Sequence, residues 1–132
     1  MTGEDRYTRG LELLAEINAS SANALFAELQ AVAPDMARYI AEFAYGDVWS
    51  RKGLSKRDKA VATIAGLTAL GHSQRELRAH VRNALNVGLT PQEIVETLIH
   101  MGVYAGFPAA INAILTAREE FEARGLLPLE ET

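Results

Sequence analysis

No cysteine occurs among the 132 residues. Disulfides, thiolate metal ligands and any thiol nucleophile or redox pair are therefore excluded for this chain. Aromatic residues are sparse at 7%, with a single tryptophan. No apolar run approaches the roughly 20 residues of a membrane span, and no basic-then-apolar leader opens the chain, so a cytoplasmic protein is expected. Charge of one sign is not in excess: 13 Lys and Arg face 17 Asp and Glu, a net charge of −4. That balance carries no footprint for nucleic acid or an anionic membrane surface. Glycine-rich phosphate loops, an HExxH helix and a GxSxG turn are missing, and His72, His80 and His100 never stand at the spacing of a helical metal pair. A metal site is not expected.

What is present is helical punctuation. With 48% hydrophobic and 23% charged residues the composition is globular, and the length fits one domain over residues 1–132 with a small core. Ser55-Lys56-Arg57-Asp58, Ser73-Gln74-Arg75-Glu76 and Thr90-Pro91-Gln92-Glu93 each read as a helix start, a hydroxyl capping a free N–H and an acid three positions on returning the bond. Gly46, Gly71, Gly88 and Gly125 read as stops that take the left-handed conformation, and Gly106-Phe107-Pro108 as a break and a new start. Between these marks apolar residues recur at helical spacing, as in Leu11, Leu14 and Ile17, or Ile111, Ile114, Leu115 and Phe121. Helices are predicted at roughly 4–18, 21–32, 35–45, 56–70, 74–87, 91–104 and 108–124, with no strand. The fold class is all-α, a compact bundle of about six to seven helices. Small residues such as Ala60, Gly66, Gly102, Ala109 and Ala113 permit close helix approach, within one chain or between subunits.

Candidate chemistry gathers at three places. Gly46-Asp47-Val48-Trp49-Ser50-Arg51 sets the only tryptophan beside an acid and an arginine where a helical pattern is expected to break. The Arg51 fork suits a carboxylate and Trp49 can wall a pocket; the structural alternative is a loop pinned by Asp47 and Arg51. His80 falls about 60° from Leu77 on a helical wheel, at the shoulder of the apolar face, where modest burial keeps an imidazole neutral. Its alternative is a hydrogen-bonded histidine at the edge of the core, with Arg78, Arg82 and Asn83 around it as solvated helix residues. Tyr104 ends a helix before the second break, and its alternative is a half-buried aromatic. His72 and His100 read as surface residues.

The GDVWSR hexad, the stretch LRAHVRNALNVGLTPQEIVE around His80 and the YAGFPAA turn from Tyr104 stand in one order and at compatible distances. Together, from about Tyr39 to Glu122, the chain resembles the gamma-carboxymuconolactone decarboxylase family. The resemblance implies an alkylhydroperoxidase-like helical fold that assembles as a homo-oligomeric ring, commonly a hexamer. A related branch of that fold carries a Cys-x-x-Cys pair before a histidine and a glutamate upstream. Here the stretch before His80 reads Gly71-His72-Ser73-Gln74-Arg75-Glu76, and Ala60 stands near the glutamate's place, so thiol peroxidase chemistry is excluded.

The resemblance also implies a carboxy-lyase of aromatic-compound degradation that needs no cofactor. In the family's substrate the departing carboxylate is conjugated through an alkene to a lactone carbonyl, which takes the electron pair as a dienolate. The protein then orients two carboxylates, stabilises an oxyanion and assists protonation of carbon. Arg51 would hold the retained carboxylate, His80 would be proton donor or oxyanion partner, Trp49 would dry the pocket, and Tyr104 would donate toward the lactone oxygen. Asp47 and His100 are further substrate-binding candidates. Two rivals share most of these features: a family member acting on a different small acid or lactone, and a non-enzymatic helical oligomer in which Trp49 and Arg51 anchor an interface.

Overall fold

A computed structural model describes residues 3–130, and all regular structure among them is helical. The elements are α1 (Gly3–Gln30), α2 (Pro34–Tyr39), a π-helical segment (Ile40–Trp49), α3 (Lys56–Leu70), α4 (Gln74–Asn86), α5 (Pro91–Tyr104) and α6 (Phe107–Ala123). The all-α class is as predicted. Among the described residues no helix is long and apolar enough to cross a membrane. The chain divides between Ser55 and Lys56 into two units, each with its own packing.

In the first unit α1 bends at Asn18, whose extended backbone (φ −169°) interrupts one long helix where two were predicted. Asn18 explains the restart, because its Oδ1 accepts from the Ser21 N–H at 3.4 Å, as a helix N-cap does. The larger departure lies at Gly46. The predicted helix over 35–45 instead runs on through Trp49, its second part wound as π-helix. Gly46 is not a left-handed stop; it is buried, and a Cβ there would collide with the Arg6 carbonyl. Gly10 does the same against the Ala41 carbonyl. The two glycines let α1 and the π-segment meet backbone to backbone, with Leu13, Leu14, Ile17, Ala37, Ala41 and Tyr45 buried around them.

The second unit follows its punctuation closely. α3 and α5 begin and end where predicted, and α4 and α6 differ by one residue. Thr90 forms a complete capping box: the Glu93 N–H donates to Thr90 Oγ1 at 3.0 Å and the Thr90 N–H donates to Glu93 Oε1 at 2.8 Å. Ser73 occupies the N-cap position of α4 without capping it, and its hydroxyl lies 3.3 Å from His72 Nδ1 instead. Gly88 (φ 104°) closes α4 with a Schellman pair, Leu89 N–H to Ala84 O at 3.0 Å and Gly88 N–H to Leu85 O at 3.2 Å, while Leu89 is buried. Gly71 and Gly125 are also left-handed, as predicted. The core is aliphatic: Ile64, Leu77, Val81, Ile94 and Leu98, closed by Ala113, Ala117 and Phe121 of α6. Ile111 and Leu115, although at helical spacing with that core, are 54% and 56% exposed.

Candidate active site

The hexad is helix rather than turn for most of its length. Gly46 to Trp49 finish the π-segment, Ser50 follows as its C-cap, and the chain leaves the helix only at Arg51. Ser50 Oγ donates to the Gly46 carbonyl, and Arg9 Nε donates to the same oxygen at 2.6 Å. Trp49 is half-buried and stacks on the buried Tyr45 ring, with centroids 5.7 Å apart and planes at 16°. Burial pushes the Tyr45 phenol up from its ordinary pKa. Arg51 is exposed, just past the end of the π-segment.

Asp47 is engaged by α1. Arg6 grips it with two prongs, Nε to Oδ1 at 2.9 Å and a terminal nitrogen to Oδ2 at 2.6 Å, and Arg9 adds a contact at 3.4 Å. The hydrogen bond from Arg6 holds the Asp47 carboxyl below its usual range and raises the Arg6 guanidinium. The structural alternative, a loop pinned by Asp47 and Arg51, thus meets a different partner for Asp47, which is Arg6. Nothing in the hexad signals that partner, because it lies 41 positions earlier and is met only through the Gly46 crossing.

In the second unit His80 lies half-buried on α4. Burial lowers its pKa below the ordinary histidine value, against a smaller opposing pull from Glu76 one turn earlier. The ring is therefore neutral near pH 7. Its partner is Asn83, one turn on, whose amide nitrogen lies 3.4 Å from His80 Nδ1. Asn83 is buried, not solvated as its polarity suggested. His100 and Tyr104, one turn apart on α5, bring their rings to 5.3 Å at 49°, and both are exposed. The exposed Tyr104 ring differs from a half-buried aromatic.

Arg82, also expected in solvent, donates to Glu120 Oε1 at 2.9 Å, and Arg124 Nε donates to Oε2 at 3.3 Å. Glu120 is only 4% exposed. Burial pulls its carboxyl up, but the hydrogen bonds and charges of Arg82 and Arg124 outweigh that and leave it below its ordinary value. Arg78 Nε stands 3.5 Å from the same carboxylate, buried and without a hydrogen bond. This cluster ties α6 to the polar side of the helix that carries His80.

The first unit thus carries an exposed Arg51 two residues after Trp49, the second carries the half-buried imidazole of His80, and the chain has no thiol. The sequence pattern of the carboxymuconolactone decarboxylase family matches residues 34–119, and the chain belongs to that family. It is 39% identical to a 4-carboxymuconolactone decarboxylase of Acinetobacter baylyi over 97% of its own length and 96% of the relative's. A nitrosuccinic acid decarboxylase of Metarhizium robertsii is 38% identical over 61% of this chain and 55% of that protein. An uncharacterised 15.0 kDa protein of Paracoccus denitrificans is 27% identical over 85% of this chain and 84% of that protein. The chain is a carboxy-lyase of this family.

Proposed function

We propose that this carboxy-lyase removes a carboxylate from 4-carboxymuconolactone or a closely similar carboxylated lactone, in the degradation of aromatic compounds and without a cofactor. The near full-length likeness to the Acinetobacter baylyi enzyme carries this reading. The chemistry is compatible with the side chains present, because the substrate holds its own electron sink. Arg51 binds the retained carboxylate through its planar fork. Trp49, stiffened by Tyr45, excludes water near the departing one, whose loss of charge is favoured where water is scarce. His80 assists at the developing oxyanion or in protonation, and Tyr104 donates toward the lactone oxygen. Asp47, already gripped by Arg6, acts by holding the end of the π-segment, while His100 lies beside Tyr104 and can contact the substrate's polar edge.

The protein works in the cytoplasm as a homo-oligomeric ring, with a hexamer favoured. Support comes from large apolar side chains left exposed at helical spacing, Phe107, Ile111 and Leu115 on α6 and Ile99 and Val103 on α5.

A second reading is favoured by the nitrosuccinic acid decarboxylase relative. A 2-nitro dicarboxylate also leaves one carboxylate in place and sends the electron pair into a group of its own, the nitro group. Purified protein incubated with each acid separates the readings. Loss of the lactone's ultraviolet absorbance with release of CO2, and no turnover of nitrosuccinate, supports the first; the reverse pattern replaces it with the second.

A further inference from the structure

Within α4, the contact between Asn83 and His80 bears on which ring nitrogen carries the proton. The Asn83 amide nitrogen lies 3.4 Å from His80 Nδ1, and an amide NH2 group only donates. A neutral imidazole has one N–H and one lone pair, so the nitrogen that receives the Asn83 N–H is the one without a proton. That leaves the ring proton on Nε2. Asn83 is buried, so bulk water does not compete freely for the bond.

We propose that Asn83 is a positioning residue for the decarboxylation: it holds neutral His80 as the Nε2–H tautomer, so the ring meets the substrate as a hydrogen-bond donor and not as a base. The proposal rests on the decarboxylase reading above and narrows it. The carbon–carbon bond to the departing carboxylate breaks, CO2 leaves, and the bonding pair moves through the alkene into the lactone carbonyl. The enolate oxygen so formed accepts the Nε2–H hydrogen bond. Full transfer of that proton would leave an imidazolate, so the ring keeps it. Water protonates the carbon, and the hydroxide left behind combines with CO2 as bicarbonate. A charged ring would turn an Nδ1–H against the Asn83 amide hydrogens, so the same contact disfavours the imidazolium.

The test is nitrogen-15 NMR of the imidazole nitrogens in the whole protein, without substrate, above the pH at which His80 titrates. His80→Gln assigns the signals. The expected result is a bare Nδ1 and a protonated Nε2 for His80, with the proton moving to Nδ1 in Asn83→Asp, which offers an acceptor instead of a donor. In that variant kcat is expected to fall by roughly 100-fold with KM nearly unchanged. A protonated Nδ1 in the unmodified protein overturns the proposal, as does an unchanged tautomer in a folded Asn83→Asp. Should that variant not fold, the spectrum of the unmodified protein decides alone. Because the tautomer is read without substrate, its failure is distinct from a failure to decarboxylate, which would remove the enzymatic reading.

Discussion

In the first unit two helices meet where Gly10 and Gly46 leave no room for a Cβ, whereas in the second the helices are spaced by Ile64, Leu77, Val81, Ile94 and Leu98. Charge is handled just as differently. Asp47 lies in a half-exposed two-pronged pair with Arg6, while Glu120 is buried among Arg82, Arg124 and Arg78. Residue chemistry alone would treat the two carboxylates as equals. Their surroundings make the first a surface clasp, screened by solvent, and the second a buried charge whose neighbours are required. The contrast bears on the proposed roles because Trp49 and Arg51 belong to the first unit and His80 to the second.

The largest effects should fall on turnover. Arg51→Ala and His80→Ala are each expected to lower kcat/KM on the lactone by about 100-fold to 1000-fold, with helix content retained by circular dichroism. Loss from only one of them would assign the chemistry to a single unit. Next comes Glu120→Ala, which leaves three guanidiniums around an empty place and should cost about 3 kcal/mol in urea unfolding. A change as small as that of an exposed pair would show that Glu120 and Asp47 do not differ as described.

Gly46→Ala should cost about 2 kcal/mol, because the added methyl group meets the Arg6 backbone rather than a flexible side chain. The same variant should blue-shift or quench Trp49 fluorescence differently from the unmodified protein, since the end of the π-segment moves with the crossing. Thr90→Ala removes one half of the capping box and should cost about 1 kcal/mol, read from the midpoint of thermal unfolding.

Acidity probes the second unit in two windows. His80 has a lowered pKa in the folded protein, so the unfolded chain binds its proton first. Stability from this group is complete above the ordinary histidine range and is lost as pH falls through that range toward the folded value. Glu120 is also lowered, so its contribution is present above the ordinary glutamate value of 4.5 and disappears as pH falls through the folded one. Unfolding midpoints measured across both windows should lose the upper step in His80→Gln and keep the lower.

Much of the second unit was legible because its signals are local. Thr90 and Glu93 satisfy each other within one turn, and α4 ends through bonds from Gly88 and Leu89 to residues three and five positions back, so short windows of sequence contain both partners. Gly46 was misread for the opposite reason. A glycine that permits close approach and one that permits a left-handed turn look identical until the opposing strand of backbone, here Arg6, is in place. Polarity alone places Asn83 and Arg82 in solvent, whereas Asn83 is buried with its amide near the ring of His80 and half-buried Arg82 is held by Glu120 of α6. Of the candidate residues, the position of His80 at the shoulder of its helix was the best read, since a wheel of one amphipathic helix suffices.

Turnover of 4-carboxymuconolactone by the purified protein, followed in the ultraviolet with a chelator present and no added cofactor, tests the decarboxylase reading most directly. Steady loss of absorbance with one bicarbonate formed per lactone is the predicted result. A folded protein that leaves the lactone unchanged at high enzyme concentration would contradict it.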